Sequence, residues 1–166
     1  VAKLEALAAR VDELVVLADN AVEGALPDNC RVRLFRAGHR AGRGLRFESA
    51  LARELGRRPR PAAVLAHMCP IYAVLAAPVA RPLRVGVMLW FTHWRRSRLL
   101  ATAERASTIV LTVDPRTFPL SSKKLVAIGH GIDVSDLPCV ERPPRDELTL
   151  LALGRTSPAK GLETII

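Results

Sequence analysis

Short apolar runs alternate with stretches whose apolar residues recur at helical spacing, and this alternation constrains the fold more than any other feature of the chain. From residue 63 onward the order is strand 63–66, helix 71–80, strand 85–89, helix 97–106, strand 109–113 and strand 125–128. Such alternation is typical of a parallel sheet covered by helices. The sequence therefore predicts an α/β fold with a doubly wound, Rossmann-like parallel sheet.

The first sixty residues follow this plan less regularly. An amphipathic helix is predicted over 1–13, because apolar residues recur there at helical spacing and charges occupy the other face. Strands are predicted at 14–18 and 32–35, a loop rich in Gly and Arg at 37–44, and a helix at 46–55. Because a doubly wound domain normally begins with a strand, we expect its first strand to be missing, which leaves an open sheet edge that favours self-association.

The chain changes character after Asp133. Residues 138–147 are rich in proline and charge and lack apolar periodicity, which indicates a linker between domains. An apolar strand follows at 148–153, and the sequence ends within the first turns of a helix. The sequence thus predicts a Rossmann-like domain over 1–137, a linker over 138–147 and the truncated start of a second domain over 148–166. We expect the fold to be incomplete at both ends.

Charge and cysteine content indicate what kind of partner this chain binds and in which compartment it works. The formal net charge of +9 favours an anionic partner such as a phosphorylated substrate, a lipid surface or nucleic acid. The 3 cysteines are far apart, so neither a disulfide framework nor a Cys-x-x-Cys metal site is indicated, and a reducing cytoplasm is expected. No apolar run is long enough for a membrane span. The positive charge is compatible with peripheral contact at the inner face of the membrane.

The last predicted strand delivers a loop suited to anions. Gly154 and Arg155 end the strand, Pro158 turns the chain, and Lys160 opens a helix. Free backbone N–H groups and the positive end of the helix dipole would face the same space as the two cationic side chains. Arginine offers a planar fork for phosphate oxygens, and lysine adds a mobile charge. The pattern suits an anion such as a diphosphate, and on spacing alone a surface loop with incidental charges is an equal alternative.

Three segments of the chain resemble one enzyme family. Residues 150–166, LLALGRTSPAKGLETII, resemble the opening of the donor-binding domain in family 4 glycosyltransferases, which have the two-domain GT-B fold. Residues 126–133, VAIGHGID, resemble that family's Ile-Pro-Asn-Gly-Ile-Asp segment, and residues 103–114 resemble the helix-strand unit before it. The order and spacing of the three agree, and the resemblance extends over about 62–166. It implies that 1–137 form the N-terminal, acceptor-side half of a GT-B fold.

The resemblance also implies an activity. Family 4 members transfer a sugar from a nucleotide-sugar donor to an acceptor with retention of the anomeric configuration, and they generally need no metal or other cofactor. Arg155 and Lys160, together with Gly154, would bind the donor diphosphate. The acceptor, which is a sugar, a lipid or a small molecule in this family, stays unspecified. The family's paired glutamates lie further along the donor domain, so we expect this chain alone to lack transferase activity.

Two histidines lie where the predicted strands deliver substrate-binding side chains. His67 ends one strand and resembles the active-site His that the family carries there, facing the acceptor and the reacting sugar. His93 follows the next strand, within WFTHW over 90–94, and matches another His of the family. Aromatic faces stack on sugars, and the guanidinium groups of Arg95 and Arg96 behind them attract phosphate. The alternatives are a satisfied polar residue at His67 and a packing cluster around Trp90.

The segment VAIGHGID carries residues suited to a turn. Gly131 is expected to take a positive φ, which other residues resist, and Asp133 is expected to cap the chain that follows. We interpret both as structural. Where the family has Pro and Asn, this chain has Gly129 and His130. Because His also fits a tight turn, this departure leaves the assignment standing.

Other functions compete with this interpretation. A zinc site formed by His67, Cys69 and His93 lacks the spacing of structural zinc ligands, so no metal is expected. A basic nucleic-acid-binding module would need clustered charge with interleaved rings, whereas the arginines here are dispersed, so no nucleic-acid partner is expected. A GT-B relative that is not a transferase, such as a sugar-nucleotide epimerase or a phosphorylase, remains open, because the discriminating residues belong to the donor domain.

Overall fold

The computed structural model describes residues 2–21 and 26–131, nearly all within one compact unit, Val1–His130. The helices of this part are α1 Ala2–Ala8, α2 Arg40–Leu55, α3 Pro70–Ala80 and α4 Arg98–Ala106. The strands are β1 Leu14–Ala18, β2 Cys30–Leu34, β3 Ala63–His67, β4 Gly86–Trp90, β5 Ile109–Thr112 and β6 Leu125–Ala127. The predicted linker at 138–147 and the predicted second domain at 148–166 lie outside the described residues.

Every strand pairing among the described residues is parallel. β1 pairs with β2, and β3, β4, β5 and β6 form a second sheet in that order. No described strand pairs with the second edge of β1 or of β3. The chain therefore has the α/β architecture of parallel strands and helices that the alternation predicts, consistent with a Rossmann-like fold.

The four-stranded sheet is buried beneath α3 and α4. Val87 and Leu89 of β4 and Val110 of β5 have almost no exposed surface, and Leu100 of α4 is equally buried. Burying one such side chain contributes about 1.5–3 kcal/mol. The buried face of α3 carries only small side chains, Ala73, Ala76, Ala77 and Ala80. Because these alanines are small, α3 approaches both the sheet and α4 closely.

An aromatic cluster joins the two-stranded sheet to the same core. Phe35 directly follows β2, and its ring centroid lies 5.5 Å from that of Phe47 in α2 and 5.4 Å from that of Tyr72 in α3, both edge-on. Each such aromatic pair contributes about 0.5–1.5 kcal/mol beyond its burial. Leu17 of β1 packs against this core as well. Side-chain packing therefore connects the two sheets, although no described strand joins them by hydrogen bonds.

The N-terminal helix is shorter than the apolar spacing predicts. The prediction of one helix over 1–13 is wrong, because α1 ends at Ala8. The amides of Arg10 and Val11 donate to carbonyls three residues earlier, which tightens the chain and ends the α-helix. The side-chain amide of Asn29 donates to the carbonyls of Ala8 and Val11 at 2.9 and 3.1 Å. A residue far along the chain thus fixes the helix end.

The loop predicted at 37–44 is wrong in its second half, since α2 begins at Arg40. His39 is the N-cap, and its Nδ1 accepts a hydrogen bond from the amide of Gly42 at 3.0 Å. Side chains that cap helices are usually Ser, Thr, Asp or Asn, so a capping His gave no signal in the sequence. The remaining helices and strands agree with the prediction to within two residues at each end.

Candidate functional site

The carboxyl ends of β3, β4 and β5 place three side chains at one edge of the sheet. Parallel strands all end at the same edge, which is where α/β folds bind ligands. β3 ends at His67, β4 at Trp90 and β5 at Thr112. His67 pairs directly with Trp90 in the strand register. The sequence prediction that His67 lies at a strand end is therefore confirmed, while its role stays a prediction.

His67 and Trp90 form the centre of this edge. Their rings are nearly parallel, with an interplanar angle of 4° and centroids 6.2 Å apart. Met68, the next residue, has a left-handed backbone at φ 58°, which is uncommon for a residue with a side chain. Its amide donates to the carbonyl of Trp90 at 2.8 Å. This bond continues the ladder past the end of β3 and fixes the chain beside both rings.

Lys3 adds a cation to this pair of rings. Its Nζ lies 5.2 Å from the centroid of the Trp90 ring, within the range of a cation–π contact. Partial burial of the imidazole, and then the charge of Lys3, lower the pKa of His67 below its ordinary value. His67 is therefore favoured as the neutral ring at neutral pH. Lys3 has no signal in the sequence, because the contact joins residues far apart in the chain.

His93 belongs to a separate stack. Its ring lies 4.6 Å from that of Trp94, at an interplanar angle of 24°. The backbone amide of His93 donates to the carbonyl of Thr117 at 2.8 Å, and its Nδ1 accepts from the amide of Arg95 at 2.9 Å. Trp94 is 80% exposed, so this stack is open to solvent. The structure places His93 beyond the end of β4, but its partner is Trp94 and not Trp90.

A partly buried pair of hydroxyl groups supports the segment that holds His93. Thr112 is fully buried, and its Oγ1 shares a hydrogen bond with Thr117 Oγ1 at 2.9 Å. Thr117 Oγ1 also donates to the carbonyl of Asp114 at 2.7 Å. This capped turn presents the Thr117 carbonyl to the amide of His93. Sequence reasoning missed both threonines, because Thr112 in a strand ordinarily signals only β propensity and Thr117 lies in a short turn that matches no motif.

The first turn of α3 begins beside His67. Cys69 is the N-cap but makes no side-chain capping hydrogen bond, and Pro70 takes the first helical position, where a missing N–H costs nothing. Within residues 2–21 and 26–131, no cluster of three or more His, Cys, Asp or Glu side chains is arranged to hold a metal ion. Over the same ranges, each helix is too short or too polar to cross a bilayer.

The turn after β6 differs from its prediction. Gly129, and not Gly131, has the left-handed backbone, at φ 74°. The amide of Gly129 donates to the carbonyl of Val113 at 3.1 Å, so β6 and the end of β5 stay together through this turn. The position that needs glycine is thus the one where the resembling family has proline. Asp133 and the diphosphate residues Gly154, Arg155 and Lys160 lie outside the described residues.

Comparisons of the chain with protein-family models, with curated proteins and with solved structures gave no match.

Proposed function

We propose that this chain is part of a nucleotide-sugar-dependent glycosyltransferase of the GT-B type, and that the edge formed by His67 and Trp90 holds the acceptor and the reacting sugar. The single observation that carries the proposal is the pairing of these two rings in register at the carboxyl ends of neighbouring parallel strands. Arg155 and Lys160 are the proposed ligands of the donor diphosphate. The proposed setting is the cytoplasm, with peripheral contact at the inner membrane face.

The chemistry of the ring pair fits a sugar. An aromatic face is apolar and packs on the C–H face of a pyranose, while a neutral imidazole offers one donor and one acceptor nitrogen to hydroxyl groups. His67 makes no side-chain hydrogen bond to any residue within 2–21 or 26–131. Among these residues, both of its ring nitrogens are therefore available to a ligand. Its lowered pKa favours the neutral form that has this dual capacity.

The donor end of the proposal is electrostatic. When the bond between the sugar and the diphosphate breaks, negative charge develops on the leaving diphosphate. Two cations and free backbone amides placed where that charge appears would stabilise the transition state more than the ground state. In this proposal Arg155 and Lys160 provide those cations, and His67 positions the acceptor and reacting sugar.

The two tryptophans make the edge directly measurable. The chain contains 2 Trp residues, Trp90 at the end of β4 and Trp94 in the separate exposed stack, so tryptophan emission reports on these two places alone. We expect the Trp94→Phe variant, in which only Trp90 emits, to show a saturable change in emission with a sugar or nucleotide-sugar. The matched Trp90→Phe variant, in which only Trp94 emits, should show a smaller change or none.

A panel of monosaccharides, alkyl glycosides and uridine or guanosine diphosphate-sugars tests the proposal. If none of them changes the emission of Trp90, the edge is not a sugar site and the proposal fails. The His67→Gln variant in the Trp94→Phe background should weaken the effective ligand, because it replaces the ring that lies beside Trp90. Its melting temperature, compared with that of the parent, controls for folding.

A second candidate has one observation in its favour. Trp94 is exposed and is followed by exposed Arg95 and Arg96, a small arrangement of ring and charge that suits a single-stranded nucleic acid. Binding of a fluorescent oligonucleotide that weakens steeply with salt, together with no response to any sugar nucleotide, would favour this candidate. One exposed ring beside two arginines is smaller than the basic groove with several rings that a nucleic acid requires, which argues against it.

A further inference from the structure

A group of basic side chains, away from the edge formed by His67 and Trp90, lies beside β2 and the end of α2. A cavity of about 410 Å³ opens there, and none of its lining residues lies at the carboxyl ends of β3 to β5. Its polar lining consists of Arg33, Arg53, Arg57 and Glu54, and its apolar lining includes Val32 and Leu34. The sequence alone does not bring Arg33 together with Arg53 and Arg57, because these arginines come from segments separated in the chain.

Glu54 organises the arginines around the cavity. Its side chain is 6% exposed, and Oε1 accepts from Arg33 Nε at 2.8 Å while Oε2 accepts from Arg31 Nη2 at 3.0 Å. Arg57 Nε lies 3.7 Å from the same Oε2. Arg31 is also paired with Glu13. The buried carboxylate thus hydrogen-bonds two guanidinium groups of β2 and lies within ion-pair distance of Arg57, which follows the end of α2.

The charge around the cavity is not balanced by these contacts. Burial alone would raise the pKa of Glu54, but the hydrogen bonds from Arg33 and Arg31 outweigh it and lower that pKa, so the carboxylate is ionised at neutral pH. One carboxylate therefore faces the three cavity arginines, Arg33, Arg53 and Arg57. Among residues 2–21 and 26–131, Arg53 makes no side-chain hydrogen bond or ion pair, and Arg33 uses only its Nε, so its terminal amino groups stay free.

We propose that this cavity binds a phosphate group. Guanidinium groups form charge-assisted, often bidentate hydrogen bonds to phosphate oxygens, which is why arginine is preferred for planar recognition of such groups. The cavity is also large enough for more than a single ion, and Val32 and Leu34 offer apolar contact to whatever carries the phosphate. The ligand class is a phosphate ester or diphosphate, either free or as a lipid headgroup. This site does not depend on the transferase proposal.

The test measures binding and not turnover. Inorganic pyrophosphate is titrated by calorimetry into the wild-type chain, into an Arg53→Gln/Arg57→Gln double variant, and into an Arg10→Gln/Arg98→Gln double variant as a control. Arg10 and Arg98 are exposed and do not line the cavity, and both double variants lose the same net charge. We expect the dissociation constant to rise at least about tenfold in the cavity variant and to change little in the control, because only the cavity variant loses donors to phosphate.

A second arm distinguishes the source of the phosphate. The same proteins are sedimented with phosphatidylcholine vesicles that contain phosphatidic acid, and with pure phosphatidylcholine vesicles. Pyrophosphate binding that depends on Arg53 and Arg57 assigns a free phosphate compound, whereas dependence seen only with the anionic vesicles assigns a lipid headgroup. Absence of binding in both arms, or equal losses in the cavity and control variants, would overturn the site. Unchanged thermal melting of each variant shows that the losses do not arise from misfolding.

Discussion

His67 and Trp90 are direct partners in the register of β3 and β4, and their rings lie parallel with centroids 6.2 Å apart. The parallel pairing determines this juxtaposition, because both strands end at the same level and both side chains therefore project from one edge. Lys3 lies over the Trp90 ring and completes the group. The edge thus combines an aromatic face, a neutral imidazole and a cation.

Replacing His67 should impair transfer while the fold is kept. If the chain belongs to the proposed transferase, and with the donor and acceptor found by the fluorescence titrations, we expect His67→Gln to lower kcat/KM at least about tenfold, because His67 is the residue proposed to position the reacting sugar. His93→Gln should have a smaller effect, since His93 lies in the exposed stack with Trp94. Steady-state kinetics of the proposed transferase measure both. Equal kcat/KM for wild type and His67→Gln would remove His67 from the site.

Removing the charge of Lys3 should change the titration of His67. The pKa of His67 is lowered by partial burial and by Lys3 from an ordinary value of 6.5, so Lys3→Ala should raise it toward that value without reaching it. Because the folded-state pKa is below the unfolded one, His67 contributes stability above the unfolded pKa, and this contribution is lost as pH falls through the folded pKa. NMR titration of the imidazole checks the shift. Lys123→Ala, at the amino end of β6, serves as the control and should leave the titration unchanged.

Neutralising Glu54 should destabilise the fold. Glu54→Gln should lower the free energy of unfolding by about 2 kcal/mol, because Arg31 and Arg33 then lose a buried anionic acceptor while remaining partly hydrated. The pKa of Glu54 is lowered in the folded protein, so the difference between the two proteins should be present above pH 4.5 and should shrink as pH falls through the folded pKa. Urea unfolding at several pH values measures it.

A neighbouring glutamate provides the control for that experiment. Glu48 lies in the same helix but makes no ion pair with residues 2–21 or 26–131, so Glu48→Gln should change the free energy of unfolding by less than about 0.5 kcal/mol. Equal losses at the two positions would mean that the ion pairs of Glu54 do not stabilise the fold.

The turn after β6 should be sensitive at Gly129 and tolerant at Gly131. Gly129→Ala places a Cβ at φ 74°, where the added group meets no described atom within 4 Å, so the cost of about 1 kcal/mol is purely conformational. Gly131→Ala should cost nothing measurable, because the backbone of Gly131 is outside the left-handed region. Thermal or urea unfolding of the two variants measures the loss of stability at each glycine. A larger loss of stability in Gly131→Ala than in Gly129→Ala would instead support the sequence-based prediction that Gly131 has the positive φ.

The sequence by itself determined the layers of this protein and the places where its strands end. Hydrophobic periodicity is local and is set by which faces are buried, so it located β3, β4 and β5 to within two residues and placed His67 at the edge. Tertiary structure decided which residues from distant parts of the chain are in contact. Asn29 ended α1, Lys3 reached Trp90, and Glu54 gathered the arginines of β2. These contacts depend on strand register and helix packing between distant segments, which no local pattern records.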